Sequence, residues 1–480
     1  MGVQIFKLLL LCCGMHSMLY GQKQLTLEHM QQDFDQLADA YKADHQGLYF
    51  YTDTLTAHRK IDSLRSTLKA DLDLRSFFNK IAALVALTNE GHTNLSYSRK
   101  EMQRLKAQAG FLPFGIFFCG ENQDAIIKSV YAPAQDQLSG KKLISINGHP
   151  IAQMMQEVLD YVATDGFNTS SAYEWIAWDF PFFYYQMHGL SENFEVELVD
   201  ISGKKTVQVV PGMDYKSIKA RADFHDFLLL NGMFETQAYR VIDDTIAYVT
   251  LVTFSGKDDR IKASFERIFT DIAGKGIQHL ILDIQRHVGG SEGVENLLAS
   301  YLFEEPFQKY AAVTAPLSFY DRNKKKKYLT LDKWRLVDGI PQRGDFTLMS
   351  DYYSDHDFTY PAQELIYTGK VYVLSSGVTF SGGAEFASML KMTNRALFIG
   401  EEVGGAHQGN VSGTGTSIKL KHSKIRASLP FIHFKMKVDP MPLGKGVIPD
   451  HFVPQSWEDV LEGVNSKLAY TLRLIQESKP

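Results

Sequence analysis

Residues 371–390 read Val371-Tyr372-Val373-Leu374-Ser375-Ser376-Gly377-Val378-Thr379-Phe380-Ser381-Gly382-Gly383-Ala384-Glu385-Phe386-Ala387-Ser388-Met389-Leu390. The apolar run Val371 to Leu374 predicts a buried strand, Ser375-Ser376-Gly377 a turn, and the spacing of Phe386, Met389 and Leu390 a helix. Upstream, Ile246 to Val252 reads as a strand, Ile261, Phe265, Ile268 and Ile272 share one helical face, and Leu280-Ile281-Leu282 is an all-apolar strand. Downstream, Ala396 to Ile399 reads as a further strand ending at Gly400. Alternation of buried strands with amphipathic helices predicts an α/β region with parallel strands from Tyr239 onward.

The first half of the chain is patterned differently. Leu27, Met30, Phe34, Leu37 and Tyr41 recur at steps of three and four, and Phe77, Ile81, Leu84 and Val85 form a second helical face from about Leu72, with Gly91 placed as its stop. Between Phe111 and Gly212 the pattern becomes short β-branched and aromatic runs, with Asn147-Gly148 as a hairpin signal. Tyr173 to His188 is crowded with aromatics, among them Trp175, Trp178, Phe182 and Phe183, and reads as core or interface packing ahead of an apolar ligand site. The expected organisation is a signal peptide over 1–21, a helical cap over 22–105, a β-rich module with an aromatic insertion over 106–225, and a catalytic domain over 226–480.

A chain of 480 residues, 45% hydrophobic and 22% charged with a formal charge of -5, is globular and carries too little charge for a polyanionic or polycationic partner. The basic run from Arg322 to Lys327 reads as a solvated loop, so nucleic-acid binding is not expected. Lys7 followed by Leu8-Leu9-Leu10-Leu11-Cys12-Cys13 and a polar stretch ending near Gly21 predicts an export signal, hence a periplasmic, cell-surface or secreted protein. Lipid attachment at Cys12 is left open. No later segment reaches the roughly 20 apolar residues of a membrane-spanning helix. Cleavage near Gly21 leaves Cys119 alone, so no internal disulfide is expected in the mature chain.

A serine hydroxyl becomes a nucleophile only beside a base and pre-placed oxyanion donors. Ser381 stands between a strand and a helix start, with Gly382 behind it to offer an unobstructed amide; the local pattern fits an N-cap serine equally well. Asp283-Ile284-Gln285-Arg286-His287-Val288-Gly289-Gly290-Ser291 also leaves a buried strand through paired glycines, and such loops meet at the carboxyl ends of parallel strands. Gly382, Gly289 and Gly290 are therefore the expected oxyanion donors. Among 15 histidines the expected base is His92, just past a helix end, with His407 in Gly404-Gly405-Ala406-His407 as its competitor. No H-E-x-x-H and no paired-cysteine spacing occurs, so neither a metal nor a cofactor is expected.

Four ordered segments resemble one family. Leu280 to Gly290, Thr379-Phe380-Ser381-Gly382-Gly383-Ala384-Glu385, Ile399-Gly400-Glu401 with Gly404 to His407, and Gly446-Val447-Ile448-Pro449-Asp450 are together similar to the C-terminal-processing (tail-specific) peptidases. Asn89-Glu90-Gly91-His92-Thr93 resembles the D-G-H-T segment of the branch that includes the tricorn core protease. Phe114 to Ile151 resembles a degenerate PDZ module. The resemblance implies a ClpP/crotonase-like α/β catalytic core with an N-terminal helical cap and a PDZ-like β-rich module. It also implies a peptide or protein substrate. Where Ser/Lys members carry lysine this chain has Ala406, so a Ser381, His92 and carboxylate set is implied, the carboxylate being Asp439. The PDZ likeness makes Phe114, Gly115 and Ile116 the expected substrate-binding loop. Gln285, His287 and Ala384 depart from the family's pattern at the oxyanion loop and after the nucleophile. The rival expectations are an inactive relative that binds an apolar ligand and a scaffold working through its PDZ-like module. Substrate identity and oligomeric state are not readable from the residues.

Overall fold

The computed structural model describes residues 25–221, 239–256, 258–304, 309–323, 334–343, 365–439 and 442–478. The expected signal segment and most of the basic run lie outside them.

Leu280, Ile281 and Leu282 are fully buried because the strand His279–Asp283 is covered on both faces. It lies inside a six-stranded sheet whose order is His451–Phe452, Ala396–Gly400, Lys370–Ser375, His279–Asp283, Ile246–Thr250 and Tyr239–Asp243. The first five are parallel, and Tyr239–Asp243 closes the edge antiparallel. Helix Asp258–Lys275 links two of the parallel strands and helix Gly382–Met392 links two more, as crossover connections require. Leu280 and Leu282 share a core with Phe386, Met389 and Leu390, while Ile281, Tyr372 and Leu374 face Ile475 of the C-terminal helix Ser466–Glu477. The fold is mixed α/β.

A second, antiparallel sheet is built on the long strand Arg426–Met436, which pairs with Gly409–Lys419, Tyr310–Thr314 and the short strand Leu95–Ser96. Nothing in the residue pattern announces it, since half of Gly409–Lys419 is exposed and shows no clean apolar alternation. Its importance is positional: it reaches back to the segment that follows His92.

The N-terminal helix Leu27–Asp44 is capped by Thr26, whose hydroxyl accepts from His29 N–H at 3.1 Å. Its buried residues Met30, Phe34, Leu37 and Tyr41 join the same core as Leu429 and Phe431. The helix Leu74–Ala86 begins at an Asp73 cap and ends five residues before Gly91, with Leu87 as its C-cap, so Gly91 is not its stop. Residues 114–211 form an antiparallel sheet ordered Phe114–Cys119, Asp124–Val130, Lys142–Ile146, Asn193–Val199 and Lys205–Pro211. Asn147 and Gly148 take φ of 50° and 76°, the left-handed pair that a tight hairpin needs. The aromatic segment is two helices, Ser170–Trp178 and Phe180–His188, meeting at Asp179. Ile176, Phe180 and Tyr184 enter the core of this module, leaving other aromatics for a different surface. Among the described residues no helix is long and apolar enough to cross a membrane.

Candidate active site

Ser381 ends the turn that leaves strand Lys370–Ser375 and immediately precedes helix Gly382–Met392. Its backbone sits at φ 54° and ψ -130°, a region costly for a residue with a Cβ. The turn holds this conformation by hydrogen bonds to the neighbouring glycine loop. Thr379 Oγ1 donates to Ile284 O at 2.7 Å, Phe380 N–H to His287 O at 2.9 Å, and Ser376 Oγ to Gln285 O. Ser381 makes no cap bond with its own helix. Its Oγ lies instead 3.1 Å from His92 Nε2.

His92 is presented by the loop after helix Leu74–Ala86. Strand Leu95–Ser96 pairs with Ala427 and Arg426, Asn94 N–H donates to Ser428 Oγ at 2.6 Å, and Ser428 Oγ reaches His92 O at 3.2 Å. The imidazole stacks on Phe380 with ring centroids 4.7 Å apart. Behind it, Nδ1 lies 2.7 Å from Glu90 Oε1, which also accepts His92 N–H at 3.1 Å. Glu90 Oε2 accepts Val411 N–H. These donors suit an ionised carboxylate, while burial pushes the Glu90 carboxyl up to about 7. Burial also lowers the basicity of His92, against the pull of Asp165 and Glu385.

Asp165, 1% exposed, completes the group. Its Oδ1 accepts Gly91 N–H at 2.8 Å and Oδ2 accepts Ala406 N–H at 3.4 Å. Burial and the adjacent Glu90 charge hold Asp165 well above the usual carboxylate range. Two buried carboxylates side by side repel each other, which raises the basicity of the pair. Glu90, His92 and Asp165 offer one metal-ligating atom each within 4.8 Å of one another. The hydrogen bonds just described use the same groups.

Asp439 does not join this group. It is exposed at the end of the long strand, where its charge acts on His407, and His92 Nδ1 is already taken by the carboxylate two residues before it. His407 is buried, with Nδ1 3.1 Å from Ser388 Oγ, and burial lowers it to about 4. The Phe114, Gly115 and Ile116 segment is strand rather than open loop. Phe114 and Ile116 sit in the module's own core, and a side chain at Gly115 would meet the Tyr131 hydroxyl at 2.7 Å.

Of the expected oxyanion donors, Gly289 is spent within its loop, donating to His287 Nδ1 at 3.1 Å. Its lack of a side chain is still required, because a Cβ would lie 2.5 Å from Ser381 Cβ. Gly382 and Gly290 are neighbours, a Cβ at Gly382 coming 3.5 Å from Gly290 N, and among the described residues neither amide has a backbone acceptor. The departures from the family pattern are absorbed structurally. His287 is fully buried against Phe254, and burial lowers it to about 3, so it stays neutral and accepts from Gly289. Gln285 bonds Asp283 at 3.0 Å. Glu385, held below its ordinary range by Lys309, Tyr310 and Asn410 against the opposing effect of burial, braces the helix behind Ser381.

Glu90, which the sequence reading did not include, stands two residues before His92, and an acid at that spacing from a candidate base is its sequence signal. Asp165 offered none, being 74 positions from Gly91 in sequence.

Comparison with known proteins bears on this arrangement. The pattern of peptidase family S41 matches residues 245–426, and no curated protein matches the chain. A structure of mature CPAF complexed with lactacystin superposes with a TM-score of 0.64 at 13% identity, covering 93% of this chain and 97% of the other. A second structure of mature CPAF gives 0.63 at 14% identity, covering 95% and 99%. A photosystem II D1 C-terminal processing protease gives 0.42 at 14%, covering 91% and 96%. At such identities the CPAF likeness shows a shared fold. Residues 245–426, which carry the paired-glycine loop and Ser381, are thus the part of the chain that is similar to peptidase family S41.

Proposed function

We propose that this protein is an exported serine peptidase that hydrolyses peptide bonds with Ser381 as nucleophile, His92 as general base and acid, and Glu90 as the carboxylate behind it. The run of contacts from Ser381 Oγ through both nitrogens of His92 to Glu90 Oε1, at 3.1 and 2.7 Å, carries the reading. Ser381 Oγ attacks the scissile carbonyl carbon while His92 Nε2 takes its proton. The oxyanion that forms meets the amides of Gly382 and Gly290 at the start of a helix, where the dipole favours negative charge. His92 then returns the proton to the departing amine, and water repeats the sequence on the acyl-enzyme. Glu90, accepting from Nδ1, fixes the tautomer and balances the imidazolium. Asp165 acts through Glu90 as a positioning residue.

The core is read as ClpP/crotonase-like and the antiparallel module as PDZ-like, binding the C-terminal strand of a substrate. Burial of Phe114 and Ile116 means that any such contact runs through other residues. Export to the periplasm, cell surface or medium rests on the N-terminal apolar run.

Labelling of residues 22–480 with a fluorophosphonate, comparing wild type with Ser381→Ala and His92→Ala, tests the reading. Labelling lost in both variants is the expected result. A folded wild type that fails to label would turn the assignment toward an inactive, apolar-ligand-binding member.

A further inference from the structure

A cavity of about 470 Å³ opens beside His92 and extends under the aromatic helices. Its inner wall is Gly91, His92 and Phe380, the same residues that form the nucleophile's surroundings. Its other walls are apolar, built chiefly from Trp175, Trp178, Phe182, Phe183, Phe78 and Val162.

We propose that this cavity is a specificity pocket that receives one bulky apolar side chain, aromatic or branched aliphatic, of a residue flanking the scissile bond. The proposal rests on the peptidase reading above and names the substrate class of that site. Continuity is the first argument: a side chain seated there is attached to a backbone that passes His92, and hence Ser381.

Chemistry is the second. The charged groups at the pocket, Asp179 and Lys219, pair with each other at 3.2 Å, and Asp179 also accepts from the Tyr215 hydroxyl. They therefore offer a charged substrate little. Trp178 remains 40% exposed, an apolar surface set against the catalytic group rather than spread at random.

Rigidity is the third. The helix carrying Trp175 is tied to the oxyanion loop by the buried pair Arg286 and Glu174 at 3.2 Å. Trp175 meets Phe380 edge to face, with centroids 5.5 Å apart. A wall tied to the oxyanion loop on one side and to the nucleophile's neighbour on the other keeps its shape while the substrate is read. The aromatic run of residues 173–188 thereby gains a role besides packing.

The test begins with wild-type residues 22–480 digesting a mixture of denatured proteins, the cut sites being read by mass spectrometry. Synthetic peptide pairs with Phe or Ala at each flanking position then give kcat/KM per fluorophosphonate-reactive enzyme. Cuts clustered beside Phe, Tyr, Trp, Leu or Ile, with a preference for Phe over Ala of at least about tenfold at one flanking position, are expected. Ala163→Phe, which fills the cavity, should lower that ratio about tenfold or more. Trp178→Ala, at a partly exposed position, should lower it too and serves if Ala163→Phe fails to fold by thermal melting. A labelled wild type that prefers small or charged flanking residues overturns the pocket and leaves the peptidase reading standing. So does a Phe-to-Ala ratio unmoved in both variants. A folded wild type that neither labels nor cleaves overturns both.

Discussion

His92 and His407 both stand next to glycine-bearing loops, both are held below the usual basicity of histidine, and either was acceptable as a base from sequence. The structure gives them different company. His92 has a hydroxyl on a strained backbone in front, an acid behind and an aromatic ring beneath. His407 has its Nδ1 beside the Ser388 hydroxyl, with no acid behind it among the hydrogen bonds of the described residues, and burial lowers it to about 4. An imidazole becomes a base through what its second nitrogen touches, since a carboxylate there stabilises the cation that proton abstraction creates.

The comparison breaks first at the nucleophile. Ser381→Ala should abolish peptide hydrolysis, lowering kcat by on the order of 10⁶. His92→Ala should cost on the order of 10⁴ to 10⁶, measured on the same peptide, whereas a comparable loss in His407→Ala would reverse the assignment.

Glu90→Gln keeps the shape and removes the acceptor's charge, and should reduce kcat by on the order of 10³ to 10⁴. Its pH behaviour is equally diagnostic. The carboxyl of Glu90 is raised from 4.5 to about 7 by burial, so it ionises only as pH rises through that range. In the proposed mechanism Glu90 acts in its ionised form, so kcat/KM of the wild type should climb between pH 6 and 8, to be checked by a pH–rate profile. Stability runs the opposite way. A carboxyl with a raised folded pKa contributes stability that is present below its ordinary value and lost as pH rises through the folded one. The Tm of Glu90→Gln relative to wild type should therefore be more favourable at pH 8 than at pH 5.

Asp165→Ala removes a neighbour whose side chain lowers Glu90 and should move the acidic limb of the profile upward, with Asp165→Asn restoring most of it. A fall in kcat without a moved limb would make Asp165 merely structural. The smallest effect is expected at Asp439→Ala, within about threefold of wild type by kcat/KM, because an exposed residue away from His92 has little hold on the reaction.

How much of this was legible depended on sequence distance. Strand Lys370–Ser375, the turn and helix Gly382–Met392 follow one another along the chain, so apolar run, glycines and helical spacing announced them. The aromatic helices were unreadable as helices because large apolar residues occupy every face of Phe180–His188, part for the module's core and part for the cavity beside His92. The expected carboxylate came from resemblance and fell on Asp439, while Glu90, two residues from His92, is the acid that meets it.

Local chemistry alone determined that a serine would stand at a strand-to-helix junction with glycine amides following it, because strand, turn and helix propensities act over a few neighbouring residues. It also determined that two glycine loops would each leave a buried strand, while the pairing of those strands was left to the tertiary structure. Tertiary structure decided which histidine meets that serine, by pinning residues 94–96 to a strand more than 300 positions later. It decided as well that Asp165 lies buried beside Glu90, since the coupling of two acids depends on their separation in space and their exclusion from water, neither of which is written in chain order.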